Sequence, residues 1–200
     1  MKSWRLQRQE GLATVEFAMM AIVLLTLAWA VIEFGSLLQA QAVLINMARE
    51  GGSLASRDLK TGPELFVLLE RSSSPLELEY HPQQFKMYLA RVEAGVSPED
   101  SNPACIVHEY GDLSSPKVVS PLNQPNCGLT PVLYDWLKFN DQTQVSPLPQ
   151  LTLVSLYYAH RPLTPLEGIF SLTGTVKVLD VDIDQDTVDD SILVHSQAIF

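Results

Sequence analysis

The sequence predicts an α+β chain: a long N-terminal helix that crosses a membrane, then an exported domain built on an antiparallel β-sheet. Three observations carry this. An apolar run lies near the N-terminus, helical spacing of apolar residues continues beyond it, and short strand-like segments separated by prolines fill the second half. The composition agrees. The chain has 200 residues, 13 Lys+Arg against 23 Asp+Glu, and a formal net charge of −10. That length suits one domain, or one small domain with an appendage. Only 18% of residues are charged while 46% are hydrophobic, so the apolar residues are concentrated in one place and the acids in another. The acidic balance excludes nucleic acid as a partner, because nothing here neutralises a row of phosphates. It equally excludes a polybasic anchor on anionic lipid.

The apolar run starts at Phe17, and the sixteen residues to Ile32 carry no charge. Glu33 interrupts, and Phe34-Gly35-Ser36-Leu37-Leu38 continues. Counted to Leu38, the run is about 33 Å of helix, against a bilayer core of about 30 Å. Glu33 falls near the end of the span, where a carboxylate reaches the interface and is far cheaper than at the centre. Ahead of the run stand Lys2, Arg5 and Arg8 with one acid, Glu10, so this end stays in the cytoplasm. The chain from about Gln39 is then outside, periplasmic in a bacterium with two membranes. Cys105 and Cys127 fall in that exported part, and an even count there fits one disulfide. Closing their loop stabilises by about 3 kcal/mol on the chain-entropy model. The alternative is two unrelated free thiols.

The helical pattern does not stop with the span. Ile32, Leu37, Leu38, Ala42, Ile45 and Ala48 keep a helical spacing, with Gln39, Gln41, Asn46 and Arg49 between them. Gly51-Gly52 is a weak point, each glycine costing about 1 kcal/mol relative to Ala, so a kink is expected there before the helix ends near Arg57. Thr61-Gly62-Pro63 breaks the chain, and Pro63, Glu64, Leu65, Leu68 and Leu69 predict a short helix over 63–71. Ser72-Ser73-Ser74-Pro75 ends it. Strands are expected at Phe85–Glu93, Ala104–Tyr110 and Lys117–Ser120, and a helical turn at Tyr134–Phe139. Leu151–Ala159 is apolar on both parities and reads as a central strand covered on both faces. Thr175–Ile183 and Ile192–Phe200, joined by an acidic loop, read as an antiparallel hairpin.

Two readings of the N-terminus compete. A secretory signal would have its charged region in 1–16, its apolar core in about 17–27 and an Ala28-Trp29-Ala30 cleavage site. Against it, Glu16 abuts the apolar run, where signals carry positive charge, and the helix pattern runs on past Ala30. The sharper reading rests on Gly11-Leu12-Ala13-Thr14-Val15-Glu16-Phe17, preceded by the basic stretch. This resembles the recognition site of prepilin peptidases: a short leader ending in Gly, an apolar residue after the cut, and Glu as the fifth mature residue. Cleavage would fall between Gly11 and Leu12. Glycine leaves no side chain at the cut, so a membrane protease reaches the backbone. A carboxylate beside hydrocarbon is costly unless paired. In pilins the new N-terminal amine supplies the partner, which implies that Glu16 sets register between packed helices.

A second block narrows the resemblance. Val31-Ile32-Glu33-Phe34-Gly35 is followed by Gln41-Ala42-Val43-Leu44-Ile45-Asn46-Met47-Ala48-Arg49-Glu50-Gly51-Gly52. Residues 5–57 are similar to the TadE-like family of the tight-adherence (Flp pilus) machinery, with Gly52 where Ala is usual and Leu54 where Arg is usual. Leu153–Leu166 is similar to the family's later strand and its Pro-rich continuation, whereas 61–150 matches nothing. The resemblance implies a type IV pilin-like fold: leader 1–11, a transmembrane and protruding helix 12–60, and a periplasmic α+β domain 61–200. In such folds the sheet packs on the protruding half of the helix, here expected at Leu38, Ala42, Ile45 and Ala48. The implied function is that of a minor pilin or pseudopilin in pilus assembly and adhesion, with Glu16 and Glu33 as assembly residues. The implied partners are a prepilin peptidase, other pilins or pseudopilins, the inner-membrane assembly platform and inner-membrane lipid. Two alternatives remain: an uncleaved membrane-tethered adhesion or scaffold module, and a secreted binding domain released after Ala30.

Little else carries chemistry. Asp180, Asp182, Asp184 and Asp186 alternate as oxygen ligands for Ca²⁺ would, with Asp189 and Asp190 behind them. The EF-hand pattern fails, because Gln185 or Thr187 stands where its glycine belongs and Ser191 or Leu193 where its last Glu belongs. Alternate acids on a strand share one face and are solvated there, which is the simpler reading. His81, His108, His160 and His195 lie in unrelated contexts, and no zinc, phosphate-loop or nucleophile-elbow motif is present. No catalysis and no cofactor are expected, with Ca²⁺ the one weak candidate.

Overall fold

The computed structural model describes residues 3–57, 62–97, 101–139, 149–161 and 191–200, with side chains from Ala13 onward. Helix α1 spans Ser3–Ser56. As far as Leu38 it belongs to one compact unit, and from Gln39 it belongs to a second. In the first unit the helix is apolar on every side and exposed. Phe17 and Val31 are 74% and 72% accessible, and Met19, Ile22, Leu24 and Phe34 are exposed too. None of its most apolar stretch is buried, which separates it from the core helix of a soluble protein.

In the second unit the helix has a buried side made of Ala40, Leu44, Met47, Ala48, Gly51 and Ala55. This corrects the expected contact stripe. Ala48 is on it, but Ile45 is only half-buried and Leu38 and Ala42 are exposed. The helix also runs without interruption through Gly51 and Gly52, and both are buried. A Cβ on Gly51 would lie 2.9 Å from Leu69 Cδ1, and one on Gly52 would fall in the ring of Phe200. These glycines are places of close approach and not a kink.

Helix α2 (Pro63–Ser72) begins with proline at its first position and buries Leu65, Phe66 and Leu69. Four strands follow: β1 (Phe85–Glu93), β2 (Ala104–Tyr110), β3 (Gln150–His160) and β4 (Ile192–Ile199). They form one sheet in the order β2-β1-β3-β4 with every neighbour antiparallel. The strands expected at 85–93 and 104–110 have those bounds. β3 is buried at every residue from Thr152 to His160, as a strand covered on both faces must be. β4 covers the expected 192–200 segment but pairs with β3. Its expected hairpin partner, Thr175–Ile183, lies outside the described residues.

Register assigns the two faces. Met87 stands opposite both Tyr110 and Leu156, and Leu156 opposite Ser196. On this face Phe66 of α2 stacks on Tyr110, with ring centroids 5.6 Å apart and planes 8° from parallel. Phe85 packs on the same tyrosine at 5.9 Å. The Tyr110 hydroxyl donates to Glu70 Oε2 at 3.0 Å, fixing α2 to the edge strand. Burial, then the bond to Glu70, holds this phenol above its ordinary pKa.

The other face carries Tyr88, Ala90, Val92, Leu153 and Tyr157 and is covered by the chain from Gly111 to Phe139. That cover has little regular structure. It contains helix α3 (Pro131–Leu137) and two 3₁₀ turns, and its apolar residues Leu113, Cys127, Leu129 and Leu137 are buried. The expected strand at Lys117–Ser120 is absent. Val118 N–H instead donates to Ser115 C=O at 3.0 Å in a turn. Pro116 and Pro121 confine the segment to four residues, and its Val118 N–H is taken up by the turn. The helical turn expected at Tyr134–Phe139 forms earlier, because Pro131 starts α3.

Candidate functional site

The candidate site is the helix itself. Its first unit contributes an apolar shaft with few polar side chains. The Thr26 hydroxyl donates to Val23 C=O at 2.9 Å, and the Ser36 hydroxyl to Glu33 C=O at 2.8 Å. Back-bonding within the helix satisfies both groups with no water, as hydrocarbon demands. Gly11 and Leu12 lie within the helical backbone of α1. Glu16 is exposed on the shaft, whereas Glu33 is half-buried. At about 1.5 Å per residue the two carboxylates stand about 26 Å apart along the axis, close to the thickness of a hydrocarbon core.

The second unit supplies the domain that the helix carries. Cys105 on β2 and Cys127 in the cover stand at disulfide distance, with Cα atoms 6.3 Å apart. The pair ties the edge strand to the cover. Asn126, Cys127 and Gly128 all have left-handed backbone, with φ of 56°, 59° and 77°. Glycine takes that conformation freely and Asn tolerates it, and the turn aims Cys127 into the cluster of Ala90, Val92 and Leu137.

Sequence reasoning took Gly51 and Gly52 for a weakness and missed their packing role. The usable signal was their spacing of three and four residues from Ala48, which puts both near the buried side of the helix. An open groove of about 350 Å³ is lined by Phe85, Lys86, Glu109, Tyr110 and Asp112. The Lys86 ammonium in it lies 3.5 Å from the Glu109 carboxylate, so their charges compensate each other. Among the described residues no three His, Cys, Asp or Glu side chains converge as a metal set. Asp180, Asp182, Asp184 and Asp186 lie outside the described residues.

A long apolar helix that fits a single-pass membrane anchor, followed by a domain with an antiparallel sheet, defines a class: anchored proteins of α+β, pilin-like build. Residues 11–53 match the family model described as TadE-like protein. The match starts at Gly11, takes in Glu16 and Glu33, and ends one residue past the Gly51-Gly52 pair. It does not extend to Leu153–Leu166. No curated protein and no solved structure matches the chain.

Proposed function

We propose that this chain is a minor pilin or pseudopilin of a tight-adherence (Flp) pilus system, acting in pilus assembly and adhesion without catalysis or cofactor. The carrying observation is that the TadE-like match begins at Gly11 and covers the apolar shaft with both of its carboxylates. On this reading the precursor sits in the inner membrane with Lys2, Arg5 and Arg8 inside and the sheet domain in the periplasm. A prepilin peptidase removes residues 1–11. The mature helix then packs among other pilin helices above the assembly platform, with Glu16 setting register. The disulfide supports an oxidising compartment for the domain.

The test is the N-terminal residue of the protein recovered from cells. Leu12 is expected. Met1 would mean an uncut tether, and Val31 a domain released by signal peptidase; either result overturns the proposal.

A further inference from the structure

Within the second unit, the side of α1 turned away from its buried stripe is exposed and polar. At about 100° per residue, Ala42, Asn46 and Ser53 lie half a turn from Leu44, Gly51 and Ala55. Ala42 and Asn46 are exposed and Ser53 half-buried. Arg49 and Glu50 stand one on each side of this line, both exposed. Neither has an ion pair among the described residues. Adjacent helix positions do not face each other, so the two cannot neutralise one another within one chain.

We infer that this face docks on a second copy of the chain as a parallel two-fold pair, held by reciprocal Arg49–Glu50 ion pairs. The argument rests on the single-span reading of the helix, and not on leader cleavage or pilus assembly. Chains anchored once, in the same sense, bring identical residues to the same height above the bilayer. Two parallel helices related by a two-fold axis then place the left flank of one seam against the right flank of the other. Arg49 of one copy meets Glu50 of the other on one side, and the reverse pair forms on the opposite side. The two positions differ in height by only about 1.5 Å. The short side chains of Ala42, Asn46 and Ser53 between them let the axes approach to about 8–10 Å. Any other register or an antiparallel arrangement leaves the charges unmatched.

The test uses the full chain in native membranes, with single cysteines added and mild copper-catalysed oxidation. Asn46→Cys should cross-link to a dimer, while Gln41→Cys, exposed but off the seam, should not. In the Asn46→Cys background, Arg49→Glu or Glu50→Arg should each lower the dimer yield about fivefold, since each leaves like charges opposed. The two reversed chains expressed together should restore it, because one then carries two acids and the other two bases. Retention of the Cys105–Cys127 bond checks that each variant has folded. Equal cross-linking at 41 and 46, an unchanged yield on charge reversal, or a product joined to a different protein would each overturn the pairing. A dimer formed by a chain that still begins at Met1 would uphold it while removing the pilin reading.

Discussion

Phe200 lies on Gly52. Its ring fills the space that a Cβ on Gly52 would occupy, and its main chain exchanges two hydrogen bonds with Thr152, at 2.8 and 2.9 Å. The end of the fourth strand line is thereby fixed to the helix through a glycine. Gly52→Ala brings two opposed effects: about 1 kcal/mol of helix propensity gained, and about 1–3 kcal/mol of overpacking against the ring. The expected net result is a loss of stability while Phe200 is present. In a Phe200→Ala background the collision is gone, and Gly52→Ala should stabilise by about 1 kcal/mol. A double-mutant cycle by chemical denaturation reads this change of sign, and equal effects in both backgrounds would remove the contact from the account.

The neighbouring glycine should respond more mildly. A Cβ on Gly51 meets Leu69 Cδ1, the far end of a flexible side chain. Leu69 can shift by a few tenths of an ångström, so Gly51→Ala is expected within about 0.5 kcal/mol of the parent once helix propensity is counted. A loss as large as that at Gly52 would mean that α2 is held too rigidly to yield.

These two positions show what the sequence made legible. Phe85–Glu93 and Ala104–Tyr110 were readable because each is an apolar, β-branched or aromatic run closed by turn residues. Leu151–Ala159 was readable because apolarity on both parities signals cover on both faces. The contact face of α1 was misread because the stripe was drawn through Leu38, Ala42 and Ile45, of which Leu38 and Ala42 are exposed, while Leu44 and Met47, which are buried, were passed over. The side that is buried is made partly of Ala40, Gly51, Gly52 and Ala55, whose size carries no signal until a neighbour such as Phe200 is placed. Lys117–Ser120 shows the converse, since two valines do not make a strand where Val118 N–H closes a turn on Ser115. The long apolar helix was legible because it depends on local sequence alone. The cover depends on contacts between distant residues.

Cys105–Cys127 should matter most for that cover. Between Gly111 and Phe139 the sheet is covered by turns and one short helix, so the cross-link to β2 replaces a hydrogen-bonded ladder. Replacing both cysteines with alanine is expected to cost about 2–4 kcal/mol. Limited proteolysis should cut first between residues 111 and 139 and leave the sheet strands protected. First cuts in β1 or β3 would mean that the bond supports the whole domain.

His195 gives the domain a pH dependence. Its imidazole lies on Tyr157, with centroids 4.3 Å apart and planes 17° from parallel, while the edge of the residue stays exposed. Burial of the stacked face lowers its pKa from the ordinary value. The unfolded chain then binds a proton at a higher pH than the folded one. The contribution to stability is fully present above about pH 6.5 and is lost as pH falls from there through the folded pKa. Denaturation midpoints should therefore drop below about pH 6.5, and His195→Phe, which keeps a ring on Tyr157, should flatten that part of the profile. An unchanged slope in the variant would assign the dependence to other groups.

Glu16 tests the assembly reading most directly. It is exposed on an apolar shaft, in a position where an unpaired carboxylate is costly in lipid. On the proposed reading, assembly supplies a positive partner there, such as a neighbour's new N-terminal amine. Glu16→Ala should leave cleavage after Gly11 intact, so that the recovered protein still begins at Leu12. Incorporation into filaments should fall by about tenfold or more, as loss of a desolvated charge pair implies. Gly11→Phe should do the opposite, leaving an unprocessed precursor of full length because the bulky ring blocks access to the backbone at the cut. Normal piliation with Glu16→Ala would remove the carboxylate from register setting, and a mature-sized product from Gly11→Phe would move the cleavage site elsewhere.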